Sequence, residues 1–220
     1  MSYNKFNISS QISVHLSQAR MGVISAKVTV SNANSNLDYL LDDRLQLIAA
    51  KLVEKRENLI PTVLETRNAY KITGKEPSRY RPSAEALLRR VRMGKDLYRI
   101  NNLVDVINIL SMSSGFSIGG FDANMIKGDV TLAIGDDTAY EAIGRGDLNI
   151  AHMPGLRDDI GFFGTPTSDS KRTMVTSSTS NILLVYYDFF GNESLGEALN
   201  DATDLLKEHC SATDIIKRLI

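Results

Sequence analysis

The sequence predicts a mixed α+β domain, and three patterns predict it. Ile12, Val14 and Leu16, then Ile24, Ala26, Val28 and Val30, alternate with polar residues, as half-buried strands do. Leu41, Leu45, Ile48 and Leu52 recur at helical spacing, as do Leu195, Leu199, Ala202 and Leu206. Ile182 to Tyr186 run unbroken, the mark of a central strand covered on both faces. A chain of 220 residues, 43% hydrophobic and 23% charged, has the composition of an ordinary globular protein and can bury a core without staples.

The elements follow in order. Residues 12 to 30 read as two strands, with Gly22 as the turn before the second and His15 on the polar side. Ser31 to Asn36 is a polar loop, and Ser35 with Asp38 resembles a capping box that opens a helix to about Asn58. Pro61 opens a second helix and Gly74 closes it. Pro82 starts a third, with Ala84, Leu87, Leu88 and Val91 as its buried stripe and Gly94 as its end. On its outer side Glu85 is spaced to pair with Arg89. Asn102 with Asp105 caps a fourth helix through Leu103, Val104, Ile107 and Leu110.

Ser111 to Gly120 breaks that helix, and Phe116 to Asp122 reads as a turn. A strand runs through Val130, Leu132 and Ile134. Tyr140 to Ile143 and Leu148 to Met153 are short strands about a turn at Gly144 to Asp147. Gly155 to Ser170 reads as a long loop and Arg172 to Thr176 as a further strand. After the central strand, Asn181 to Phe190, the pattern returns to helix from Ser194, and Ile215, Ile216 and Leu219 end the chain in a last short helix. The simplest organisation is one domain: an N-terminal hairpin and helical part over 1–75, a core over 79–190 and C-terminal helices over 194–220.

Cys210 is the sole cysteine, which excludes an intrachain disulfide and a cysteine-based zinc site, and it reads as a small buried residue. His15, His152 and His209 lack ligand spacing, so neither metal nor cofactor is expected. No apolar run is long enough to span a bilayer, and the first residues lack the apolar core of a secretory signal; a cytoplasmic protein is expected. Phosphate-loop, nucleophile-elbow and His-Glu-x-x-His signatures are absent.

Charge concentrates between Arg79 and Arg99, where seven basic residues face two acidic ones in a chain whose net charge is −1. An anion is the partner that such a stretch suits, and a solvated basic helix is the plainer reading.

Arg81-Pro82-Ser83 to Leu87, Ile100-Asn101, Val104-Asp105 to Asn108, the Phe116 to Asp122 segment and Thr179 to Leu184, in that order, resemble the tRNA-editing domain of the phenylalanyl-tRNA synthetase beta subunit. This is the B three/B four domain, and the closer likeness is to free-standing proteins that carry it. The resemblance covers about 79–190. It implies an α+β fold with a β-sandwich-like core of unusual topology and flanking helices. It also implies a pocket for the aminoacylated 3′ end of tRNA in which a wrong amino acid is hydrolysed.

The family's Pro-Leu-His-Ala-Phe-Asp segment falls on Ser117 to Asp122, so Gly119 replaces the pocket His; its Leu-Leu-Glu falls on Leu183-Leu184-Val185, so Val185 replaces the pocket Glu. Ester hydrolysis needs a positioned water and a proton acceptor, and neither replacement supplies one. Asp105, Asp122, Asp169 and His152 are the other groups able to orient a water, each with a structural explanation, and no catalytic residue is assigned. The pocket implied by the resemblance takes in Asn108, Phe116, Gly119, Gly120, Asp122, Gly164 and Thr165, and Arg81, Arg89, Arg92 and Lys95 would meet RNA phosphate. Two functions stay open: a tRNA-binding domain, with deacylase activity undecided, and a non-enzymatic pocket for an amino-acid-like molecule or a protein partner. A complete tRNA ligase is not expected from a chain without a nucleotide-activating signature.

Overall fold

A computed structural model describes residues 5–32, 35–54 and 56–220. Two four-stranded sheets and a layer of helices make up the molecule. The first sheet has the order β1 (Phe6–Ile8), β4 (Val130–Ile134), β7 (Pro154–Arg157) and β8 (Phe162–Gly164), with β1 parallel to β4. The second has the order β10 (Thr213–Leu219), β2 (Arg20–Lys27), β9 (Asn181–Asp188) and β3 (Ile118–Asp122), all antiparallel. A small ladder joins β5 (Glu141–Ala142) to β6 (Gly146–Asp147).

Strand β9 organises both cores, because it lies inside the second sheet with both faces buried. Leu183, Val185 and Tyr187 point toward the first sheet and pack with Met21, Val23, Phe121, Leu132, Leu156 and Phe163. Ile182, Leu184 and Tyr186 point the other way, toward α5 (Asn102–Ser114) and α6 (Leu195–Cys210). The unbroken apolar run of this segment therefore feeds two interfaces, the reason its sequence shows no alternation. The fold is thus α+β, with two sheets packed face to face and helices outside.

Helices α2 (Ser35–Glu54), α3 (Pro61–Thr73) and α4 (Ser83–Arg92) pack beside α5 over Ile48, Leu52, Val63, Ala84, Leu88 and Met112. Gly74 caps α3 and Gly115 caps α5 with left-handed φ of 91° and 74°, conformations that cost glycine little. The Ser35 side chain, on which the expected cap of α2 rests, lies outside the described residues, as do residues 33–34 of the Ser31 to Asn36 loop.

Several expectations are corrected. The first alternating run holds α1 (Ser10–His15) and its C-cap Leu16; Ile12 and Leu16, four apart, are buried and Val14 is 79% exposed. Gly22 lies within β2, not in a turn; a Cβ there would come within 2.8 Å of Leu195 Cδ1, so α6 rests on the strand at that point. The cap of α5 is Asn101, whose side chain accepts the Val104 N–H at 2.9 Å, and Asp105 answers by accepting the Ile100 N–H.

Phe116 to Asp122 holds strand β3, not a turn. Gly155 to Ser170 contains β7 and β8, Arg172 to Thr176 begins as a 3-10 turn at Lys171–Thr173, and Leu148 to Met153 is not a strand. The last segment is strand β10, not a helix: Ile215, Ile216 and Leu219 have helical spacing, but the open edge of β2 supplies the hydrogen bonds, with a register shift between Thr213 and Ile216.

Candidate functional site

Period-two geometry puts Gly119 and Phe121 of β3 on the face of the second sheet that meets the first. Gly119 stands directly opposite Val185 of β9. The Phe121 ring folds over Gly119, where a Cβ would lie 2.6 Å from Cε2. Gly164 of β8 meets the same ring from the first sheet: a Cβ there would lie 2.8 Å from Phe121 Cε1 and 3.0 Å from the Tyr187 hydroxyl. Phe121 is held edge-on to Phe163 at 4.8 Å between centroids. One ring thus occupies the space left by two glycines.

Asp169 reaches the same spot. Its Oδ2 accepts the Gly120 N–H at 3.0 Å, and its Oδ1 lies 3.3 Å from the Cβ position of Gly119. The residue is half-buried, so the junction of the two sheets reaches the surface at Asp169 in a shallow recess. Burial pushes the carboxyl up to about 8, against the opposing pull of the Gly120 N–H. No ion pair among the described residues involves Asp169.

Three tyrosines complete the wall. Tyr187 is 1% exposed and its hydroxyl has no hydrogen-bond partner. Burial, then the Asp169 charge, raises its pKa well above the usual phenol value. The Tyr140 hydroxyl donates to Ser168 O at 2.8 Å, and the Tyr70 hydroxyl bonds Thr167 Oγ1 at 2.8 Å. The loop 165–168 is folded on itself by Thr165, whose hydroxyl donates to Ser168 O and accepts the N–H groups of Thr167 and Ser168.

That loop is also tied to the basic stretch. Thr167 Oγ1 donates to Tyr80 O at 3.2 Å, and Ser83 N donates to Pro166 O at 2.7 Å, so the start of α4 is fixed beside the recess. The charge there is partly spent. Glu85 is buried, contrary to the expected Glu85–Arg89 pair, and binds Arg67 at 2.9 Å and Arg81 at 3.3 Å. It turns inward because Ala84 and Leu88, its neighbours in the stripe, are buried too.

Arg92 binds buried Glu57 at 2.6 Å, and Arg99 binds Asp105 and Asp38. Burial alone would raise the Glu57 carboxyl; the bond from Arg92 and a weaker pull from Arg89 hold it below the usual range. Arg90 lies over the Tyr98 ring at 4.3 Å. Arg89 and Lys95 enter no ion pair among the described residues.

The other acids named from sequence are engaged. Asp105 holds Arg99 and the Ile100 N–H; Asp122 accepts from Thr179 Oγ1 at 2.8 Å and from the Asn124 N–H. His152 is an exposed residue with a left-handed φ of 66°. Among the described residues no group of three or more His, Cys, Asp or Glu is placed to hold a metal ion, and no helix is long and apolar enough to cross a membrane. A separate groove of about 560 Å³, lined by Leu47, Leu52, Ile60, Leu88 and Met112, opens between the helices; it has Arg44 and Lys51 at its rim and no acid or nucleophile beyond Ser113.

A model of the B3/4 domain matches residues 65–211. The chain belongs to the B3/4 domain family. No curated protein matches the sequence. Among solved structures, an N-terminal fragment of the phenylalanyl-tRNA synthetase beta subunit from Pyrococcus horikoshii is similar at 12% identity and a TM-score of 0.49, over 99% of this chain and 54% of the fragment. The chain therefore spans about half the length of that fragment.

In this B3/4 domain the expected pocket residues divide between two layers. Gly119 and Gly164 meet at the Phe121 ring, Gly120 gives its N–H to Asp169, and Thr165 folds the loop that follows β8. Phe116 packs in the helix-side core, and Asn108 belongs to α5, which lies across the second sheet from the recess. Gly120 itself faces α5, where a Cβ would lie 2.6 Å from Ile107 Cδ1. Asp122 ends β3 and organises the turn after it. Tyr70, Tyr140 and Tyr187 were not legible as site residues. Tyr187 shares a face with Val185 by strand parity, but nothing in the sequence gives the register that sets it beside Asp169.

Proposed function

We propose that this B3/4 domain binds the aminoacylated 3′ end of a tRNA in the recess between its two sheets. The observation that carries the reading is the pair of bonds from Thr167 to Tyr80 and from Ser83 to Pro166, which hold the basic helix α4 against the recess loop. A polynucleotide backbone meeting Arg89 and Lys95 would then present its terminal group next to the half-buried Asp169. The sequence resemblance supplies the nature of that group, and the opposition of Gly119 to Val185 agrees with two family pocket positions sharing one wall.

The proposal is for binding rather than for hydrolysis by the family's His and Glu. Gly119 and Val185 can neither orient a water nor accept its proton. Aminoacylated tRNA, titrated with the protein at rising salt, tests the reading. Binding is expected that weakens steeply as salt rises, since phosphate contacts release counterions. Folded protein that retains no tRNA at low salt would overturn it. Mischarged tRNA is expected to decay at the same rate with and without the protein.

One observation favours a second reading, a small-molecule pocket without RNA: Arg81, Arg92 and Arg99 are already paired with carboxylates. A thermal shift with amino-acid amides in the absence of any tRNA binding would select it, because a ligand of the native state raises stability.

A further inference from the structure

The segment between α4 and α5 carries an aromatic ring that the core does not use. Residues 95–101 form no helix or strand, and Tyr98 among them is 71% exposed, with Met93 and Ile100 exposed on either side of it in the chain. This exposure does not come from slack backbone. Arg90 Nε donates to Asp96 O at 2.6 Å, Leu97 packs on the cluster of Leu52, Leu88 and Met112, and the Ile100 N–H donates to Asp105 Oδ1 at 3.1 Å. Arg99 Nε donates to the same carboxylate at 2.9 Å. Tyr98 thus stands between two tethers, so a partner meets a ring already placed and little order is lost on binding.

The surroundings are cationic. The Arg90 guanidinium lies over the ring, 4.3 Å from its centroid, which leaves the other face and the rim as the open surface. Among the described residues Arg89, Arg90 and Lys95 enter no ion pair. Asp96 is the one acid between Leu87 and Val104 in the sequence. A flat, open π face beside three cations without carboxylate partners suits a base and its flanking phosphates, and does not suit an apolar partner.

We propose that Tyr98 is a stacking platform for one unpaired base of the bound RNA, with Arg90 backing the ring and Arg89 and Lys95 meeting the adjacent phosphates. That the polymer is RNA rests on the function proposed above; the platform is tested on short single strands as well as on tRNA. Every base has a π face, so the ring selects single strand over duplex and not one sequence over another. Ser83, which ties α4 to the recess loop, and Arg90, which backs the ring, are separated by about 10 Å along the helix axis. The base taken therefore precedes the 3′ end and is not the terminal one.

The chain has no tryptophan, so Tyr98→Trp places a single reporter on the platform. Its emission is expected to fall on addition of oligoadenylate or oligouridylate of about eight nucleotides. Val14→Trp, at an exposed position of α1, is the control and should not respond. In fluorescence anisotropy with labelled strands, Tyr98→Ala should weaken single-strand binding about tenfold and leave its salt slope unchanged, because stacking releases no counterions. Tyr98→Phe keeps the ring and should stay within about twofold of the parent. Binding of duplex RNA at the same salt should be indifferent to Tyr98→Ala.

Unquenched emission from Tyr98→Trp, single-strand affinity unchanged in Tyr98→Ala, a loss in Tyr98→Phe as large as that in Tyr98→Ala, or no single-strand binding at low salt would each overturn the platform. Aminoacylated tRNA bound equally by Tyr98→Ala and the parent would overturn the platform and leave the proposed function standing. Single-strand binding that needs the ring, in a protein that retains no aminoacylated tRNA, would do the reverse.

Discussion

Asp169 is a group whose protonation the fold resists changing. Its folded pKa, about 8, lies above the ordinary value for an unfolded aspartate. Between the two values the unfolded chain has lost a proton that the folded chain keeps, so the stability contributed is present at low pH and is lost as pH rises toward 8. The asparagine variant has no charge to bury and can still accept the Gly120 N–H. Asp169→Asn is therefore expected to match the parent near pH 3 and to exceed it by a margin that widens steadily as pH rises to 8. Urea unfolding across that pH range checks it; a gap that does not widen with pH would mean that the carboxyl is solvated. The residue was visible in the sequence as one of three acids named beside His152, but its place beside Gly120 was not, because β3 and residue 169 are distant in the chain.

At the scale of elements, the strands that escaped sequence reading are those whose hydrogen bonds, not side-chain pattern, define them. Pro154-Gly155-Leu156-Arg157 and Phe162-Phe163-Gly164 have the composition of a loop, yet pair as β7 and β8. Their turn is built on Asp158, whose carboxylate accepts the N–H groups of Lys127, Ile160 and Gly161 and the guanidinium of Arg172 at 2.9 Å. The buried stripe of α6, the Gly74 end of α3 and the run of β9 were legible because each is local: a period, a cap or a composition. The register that turns a Gly- and Pro-rich segment into a hairpin is not local.

Burial alone would raise the Asp158 carboxyl; Arg172 and the backbone N–H groups outweigh it and hold it below the usual range. A depressed acid contributes stability above its unfolded pKa, near 4, and loses it as pH falls through the folded value. Asp158→Ala strips a fully buried carboxylate from its partner, and a loss of about 3–5 kcal/mol at pH 7 is expected. The penalty should shrink in acid, which denaturation of both proteins at pH 7 and pH 3 measures; an equal penalty at both would assign the loss to packing rather than charge.

Across the whole molecule, the charge written in the sequence is not the charge presented to a partner. Helix α4 is tied to the loop 165–168 at its start, carries buried Glu85, which Arg67 and Arg81 bind, and reaches buried Glu57 through Arg92. Arg81 and Arg92 complete ion pairs whose carboxylates, Glu85 and Glu57, are 3% and 4% exposed. Removing Arg92 would leave Glu57 buried without its cation, whereas Glu85 would keep Arg67 if Arg81 were removed. Arg92→Ala is accordingly expected to lower stability. Arg89 and Lys95 are exposed and make no such pair, so their removal should cost about 0.5 kcal/mol or less.

If the proposed function holds, binding separates the residues the other way. Each phosphate contact adds about one to the slope of log affinity against log salt. The double variant Arg89→Glu with Lys95→Glu should lower that slope by about 2 and weaken tRNA binding at low salt, with the fold intact. Arg92→Ala should change the slope by less than either single substitution, because its charge is answered by Glu57 in the free protein. Fluorescence anisotropy over a salt series, paired with urea unfolding of the same variants, reads both quantities. A slope untouched by the double charge reversal would place any RNA contact on a different face from α4, and would separate the recess from the basic stretch.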